Sequence, residues 1–192
     1  GPAGEAGFHH PQGLALSGST LYVADTENHL IRAVDLDAWT VTTVAGTGAQ
    51  GQDRAGGRRG VAQALNSPWD LGVEGSTLYI AMAGPHQLWR LDLPMGFCRA
   101  FVGSGRENIA DGPAEAAALA QPSGLALLGN HLYFADSEVS AVRRLDFVEE
   151  RVETMVGRGL FDFGDRDGEF ASAKLQHPLG VAAWGKKILV AD

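Results

Sequence analysis

The sequence predicts an all-β propeller built from four-stranded blades, and three observations predict it. The first is an internal period. His10-Pro11-Gln12-Gly13-Leu14, Ser67-Pro68-Trp69-Asp70-Leu71, Gln121-Pro122-Ser123-Gly124-Leu125 and His177-Pro178-Leu179-Gly180-Val181 open successive units, their prolines 57, 54 and 56 residues apart. The second is a landmark that keeps step. Leu21-Tyr22-Val23-Ala24-Asp25, Leu78-Tyr79-Ile80-Ala81-Met82, Leu132-Tyr133-Phe134-Ala135-Asp136 and Ile188-Leu189-Val190-Ala191-Asp192 each end 14 residues after their proline. The third is composition: 26 glycines and 8 prolines in 192 residues suit short strands joined by tight turns. A fixed period of this length carrying several β-rich runs is the signature of propeller blades.

Each unit continues in register. Ala33-Val34-Asp35, Arg90-Leu91-Asp92 and Arg144-Leu145-Asp146 mark a third strand. Thr43-Val44-Ala45-Gly46, Ala100-Phe101-Val102-Gly103 and Thr154-Met155-Val156-Gly157 mark a fourth. The units are placed at residues 10–48, 67–105, 121–159 and 177–192. Between units, Ala62-Gln63-Ala64-Leu65, Ala116-Ala117-Ala118-Leu119 and Phe170-Ala171-Ser172-Ala173-Lys174-Leu175 each put a leucine three residues before the proline. Alanine favours helix, so each connection is expected to hold one helical turn, ended by the proline, that pins its leucine between blades. Closed propellers have about 4–8 blades. Three units and a third of another are therefore expected to be part of a longer ring, of six blades and about 330 residues at this unit length.

Acidic residues outnumber basic ones, 23 to 15, for a formal charge of −8. The lysines are Lys174, Lys186 and Lys187. A phosphate backbone demands clustered positive charge, and Arg54, Arg58 and Arg59 read as a solvated loop run, so nucleic acid is not an expected partner. No apolar run is long enough to span a bilayer, and no membrane partner is expected. Cys98 is the single cysteine, which excludes an internal disulfide and a CxxC pair and suits a reducing, cytoplasmic compartment.

Asn28-His29-Leu30, inside Tyr22-Val23-Ala24-Asp25-Thr26-Glu27-Asn28-His29-Leu30-Ile31-Arg32, resembles the NHL repeat. Three further stretches resemble, more narrowly, the thioredoxin-like, NHL repeat-containing protein family: Asn66-Ser67-Pro68-Trp69-Asp70, Ile80-Ala81-Met82-Ala83-Gly84-Pro85-His86-Gln87-Leu88-Trp89, and Phe163-Gly164-Asp165-Arg166-Asp167-Gly168 with Lys174-Leu175-Gln176-His177-Pro178. The resemblance implies a six-bladed propeller used as an interaction platform, with a thioredoxin-like domain upstream. No thioredoxin motif stands in this sequence, so no redox activity carries over.

Two constellations stand out. Asp25 and Arg32 are seven residues apart, Asp136 and Arg143 repeat the spacing, and the second unit replaces both members, with Met82 and Trp89. The joint replacement predicts that each Asp–Arg pair meets across a hairpin, against a reading as two independent solvated charges. An exposed pair would contribute about 0–1 kcal/mol. The second unit also departs at Trp69, Asp70 and His86. Variation on a repeated scaffold is where binding functions arise, so Trp69, Asp70, Met82, His86 and Trp89 are the binding candidates. The alternative is that this blade packs differently, with Met82 and Trp89 filling core volume.

Asp162, Asp165, Asp167 and Glu169 fail the register of a calcium loop, because Phe163 and Lys174 fall at ligand positions. The histidines His9, His10, His29, His86, His131 and His177 show no close zinc spacing, and His10 and His177 read as structural. No metal ligand, catalytic residue or cofactor is assigned. The expected function is a non-enzymatic protein-interaction scaffold with an unidentified protein partner. A metal-dependent lyase or lactonase propeller with a channel site is the alternative, and an RNA-binding propeller is a third reading that the charge disfavours.

Overall fold

The computed structural model describes residues 1–192. Blade 1 contains β1 (Pro11–Ser17), β2 (Thr20–Asp25), β3 (Leu30–Asp35) and β4 (Thr40–Ala45). Blade 2 contains β5 (Gly56–Arg59), β6 (Pro68–Glu74), β7 (Thr77–Met82), β8 (Gln87–Asp92) and β9 (Phe97–Val102). Blade 3 contains β10 (Gly112–Pro113), β11 (Pro122–Leu128), β12 (His131–Asp136), β13 (Ala141–Asp146) and β14 (Arg151–Val156). Blade 4 is a two-stranded sheet, β15 (Gly180–Trp184) and β16 (Lys187–Ala191). The sheets are antiparallel meanders, so the fold is an all-β propeller of repeated blades. No helix is long and apolar enough to cross a membrane.

The first two strands of every blade are joined by a two-residue turn led by glycine. Gly18, Gly75, Gly129 and Gly185 all sit near φ +60°. A glycine at the first turn position is what a II′ hairpin requires, and that turn matches the twist of the flanking strands. Just after each proline the β1–β2, β6–β7 and β11–β12 ladders shift register by a bulge, before regular pairing resumes.

The blades also hold a fifth strand that sequence patterning did not predict. β5 pairs with β9 and β10 pairs with β14, each placed outside the fourth strand of the blade that follows it in the chain. In blade 1 the place is taken by the first residues: Pro2 bridges Thr40, and the Ala3 amide donates to the Trp39 carbonyl. Arg58 and Arg59 therefore belong to an edge strand, not to a loop.

Each inter-blade connection holds a single turn, as expected, but the turn ends before the leucine rather than at the proline. A 3-10 turn covers Gly60–Ala62 and ends on the first residue of the alanine-rich run. In the next connections the Ala117 and Ala173 amides close one turn on the Pro113 and Glu169 carbonyls. Nucleating a helix is costly, and these runs are too short to repay it. The leucines lie beyond the turns. Leu65 and Leu119 are buried and Leu175 half-buried.

The chain divides into two compact units, residues 1–84 with 89–100, and residues 85–88 with 101–192. In the first, β1 and β2 pack on β6 around a core of Ala24, Ile31, Leu65, Leu71, Ile80, Met82, Trp89 and Cys98. Burying each large side chain of this set contributes about 1.5–3 kcal/mol. In the second, β11 and β12 pack on β15, with Ala126, Ala135, Val142 and Val181 between them.

Candidate functional site

The residue 14 positions after each blade's proline, at or just past the end of the second strand, is a clip. Asp25 Oδ1 accepts the His9 amide at 2.7 Å, Asp136 Oδ1 the Ala120 amide at 2.7 Å, and Asp192 Oδ1 the Gln176 amide at 2.5 Å. Each donor lies two residues before its blade's proline. In blade 2 the same amide, of Asn66, points at the Met82 sulfur at 3.4 Å. A thioether is a weak acceptor, so Met82 keeps the geometry with less polarity.

The following turn supplies a second fastener, this one to the next blade. Thr26 Oγ1 donates to the Pro68 carbonyl at 2.7 Å, and Ser137 Oγ to the Pro178 carbonyl at 2.8 Å. The residue that closes the turn is left-handed in all three blades: His29 (φ 53°), His86 (φ 58°) and Ser140 (φ 48°). Their side chains receive the amides of Ser67, Gln121 and His177 at 3.1, 3.1 and 3.2 Å. An imidazole Nδ1 that accepts must be unprotonated. Burial lowers the His29 pKa accordingly, against the pull of Glu27.

Arg143 and Asp136 meet at 2.8 Å, and neither side chain reaches solvent. The same guanidinium donates to the Ala118 and Ala110 carbonyls at 2.7 and 2.9 Å and to Asp111 Oδ1 at 3.0 Å. Asp111 is held in turn by the Thr154 amide and hydroxyl. Burial pushes the Asp136 carboxyl up to about 6, against the opposing pull of Arg143 and the Ala120 amide. In blade 1, Arg32 stands 3.3 Å from the buried Asp25 carboxylate and keeps 15% of its side chain exposed. Both Asp–Arg pairs thus meet across their hairpins, and both carboxylates are withdrawn from solvent. They are interior groups that fasten loops to strands.

The second-blade candidates separate by burial. Met82 and Trp89 are 0% and 1% exposed, so they are core residues rather than partner anchors. They take the interior volume that an ion pair fills in the other blades. His86 serves the fastener just described. Trp69 and Asp70 are half-buried on β6. Cys98 is buried, and desolvation raises its thiol pKa to about 12, which leaves it unreactive. Of the third-connection acids, Asp162 is paired with Lys174.

Two surface features were missed by the sequence reading. The first is a cleft of about 540 Å³ on the outer part of blade 2, lined by Gly57, Thr77, Arg90, Asp92, Phe97 and Arg99. Gly56 and Gly57 (φ 71° and 104°) let β5 lie close against β9; a Cβ on Gly56 would come within 2.7 Å of the Cys98 carbonyl oxygen. The Arg59 guanidinium sits 4.5 Å from the centre of the Phe97 ring. Arg58 and Arg59 thus add exposed cations beside Arg90 and Arg99. The second feature is His9, His10 and Glu27, whose ligand atoms all lie within 4.8 Å of one another. The clip and strand pairing bring them together, although Glu27 is distant in sequence from the histidines.

Residues 8–33 match the NHL repeat. The chain is 46% identical to chicken (Gallus gallus) NHL repeat-containing protein 2, over 98% of this chain and 30% of that one. It is 45% identical to the Arabidopsis thaliana chloroplastic protein SUPPRESSOR OF QUENCHING 1, over 92% of this chain and 18% of that one. It thus spans less than a third of either relative. Among solved structures, a structural-genomics protein of unknown function from Bacteroides thetaiotaomicron superposes with a TM-score of 0.76 at 23% identity, over 95% of this chain and 44% of that one. That likeness shows the fold.

Proposed function

We propose, from the premise that this chain is an NHL-repeat β-propeller segment, that it serves as a non-enzymatic interaction scaffold whose second blade receives an acidic segment of a protein partner. The carrying observation is the cleft with Arg90 and Arg99, flanked by exposed Arg58 and Arg59 on an edge strand, in a chain of net charge −8. Arginine forks pair with carboxylates in two-point contacts, and an extended peptide can add to an exposed sheet edge. The buried clips support this reading, because they hold the blades without drawing on the residues of the cleft.

The test is fluorescence anisotropy of a labelled glutamate-rich peptide. The expected result is saturable binding that weakens with salt and drops by about tenfold or more in Arg90→Glu/Arg99→Glu, given the cost of like-charge contacts. A lysine-rich peptide and an RNA oligonucleotide serve as comparators. No binding of the acidic peptide, or tighter binding of the RNA, overturns the proposal.

A further inference from the structure

We propose that His9, His10 and Glu27 form a surface site for a divalent transition metal of the zinc class. His9 Nε2 and Glu27 Oε2 stand 3.1 Å apart. Zinc–nitrogen and zinc–oxygen bonds of about 2.0–2.2 Å place tetrahedral ligands about 3.3 Å from one another, so this pair already has the required bite. The His10 ligand atom lies within 4.8 Å of the other two. Its ring is exposed, free of the core, and meets the His9 ring edge-on, at 69° with centroids 5.1 Å apart.

The backbone under the three residues is fixed by contacts that owe nothing to a metal. The His9 amide is clipped to Asp25 Oδ1 at 2.7 Å, and the Glu27 amide donates to the His9 carbonyl at 3.2 Å. Pro11 pairs with Asp25 across the β1–β2 ladder, and His10, just before it, is held left-handed at φ 50°. Pre-organised ligands lower the ordering cost of binding.

The scaffold itself does not ask for these side chains. The positions of His9 and His10 are Asn66 and Ser67 in blade 2 and Ala120 and Gln121 in blade 3, and the position of Glu27 is Gly84 and Glu138. The clip uses only the backbone amide of the first position. Blade 1 alone among these three combines two imidazoles with a carboxylate. That donor set suits zinc, copper or nickel rather than calcium or magnesium. Three protein ligands leave a fourth position for water or for a donor from a partner.

The test is isothermal titration of zinc chloride into tag-free protein, repeated with His9→Ala, His10→Ala, Glu27→Gln and, as a control, His177→Ala, another exposed pre-proline histidine. The expected result is one equivalent bound at micromolar affinity and unaffected by excess calcium. Loss of even an outer-shell partner weakens a metal site about 10–100-fold, so each ligand variant should weaken binding at least that much while the control does not. Nitrogen-15 spectra should show the zinc-dependent shifts confined to residues around His9, His10 and Glu27. Binding that survives His10→Ala, binding lost in His177→Ala, or no stoichiometric binding overturns the site.

Discussion

Asp136 and Arg143 share an ion pair 2.8 Å long with both side chains fully withdrawn from solvent, whereas Asp25 and Arg32, at the aligned place in blade 1, stand 3.3 Å apart with the arginine partly exposed. The sequences of the two sites look alike, but their energetics differ. Removing one partner of a buried pair strands the other charge, at a cost of about 3–5 kcal/mol. Arg143→Met should therefore destabilise the protein by about that amount. Arg32→Met should cost less than that, because the buried Asp25 carboxylate keeps hydrogen bonds from the His9 amide and the Asn28 side chain and Arg32 is partly solvated. Urea unfolding of the two variants checks the contrast, and equal losses would contradict it.

Asp136 should titrate far from an ordinary aspartate. Burial raises its folded-state value to about 6 from 3.8. Between about pH 4 and 6 the folded protein holds a proton there that the unfolded chain has released, so this group makes stability fall as pH rises through that window. The carbon-13 shift of the Asp136 carboxyl, followed by NMR, should turn over near pH 6. A midpoint near 4 would show that the pairing with Arg143 outweighs burial.

Trp89 is interior, so its truncation should act on stability before anything else. Trp89→Ala should cost about 3–5 kcal/mol, the usual loss for a buried large aromatic. If Trp89 were instead a partner anchor on the surface, the thermal midpoint would hardly move.

Gly13 marks where the first strands of blades 1 and 2 touch. A Cβ there would come within 2.3 Å of Asp70 Oδ1 and 2.4 Å of the Asp70 Cα. The clash falls on backbone, which cannot swing aside as a long side chain can. Gly13→Ala should destabilise by about 1–3 kcal/mol, as overpacking does. Gly18→Ala, whose Cβ would meet nothing, tests turn strain alone and separates the two effects in the same unfolding assay.

The residue period by itself determined the blades. Proline and the clip position, aspartate in three units and Met82 in the other, recur at a fixed offset, because each unit solves the same local problem of two strands, a tight turn and a clip. The joint change of Asp and Arg to Met82 and Trp89 was also readable, since groups that share one interior volume change together. Tertiary structure alone decided the rest. Whether a charge pair is buried depends on what packs over it, so the fully enclosed Arg143 and the part-exposed Arg32 look the same in sequence. The fifth strands are too short, and too rich in glycine or proline, to carry an alternating pattern, and only pairing with a completed blade makes them strands. His9, His10 and Glu27, like the arginines of the blade 2 cleft, converge through strand register, which brings together residues that no local spacing connects.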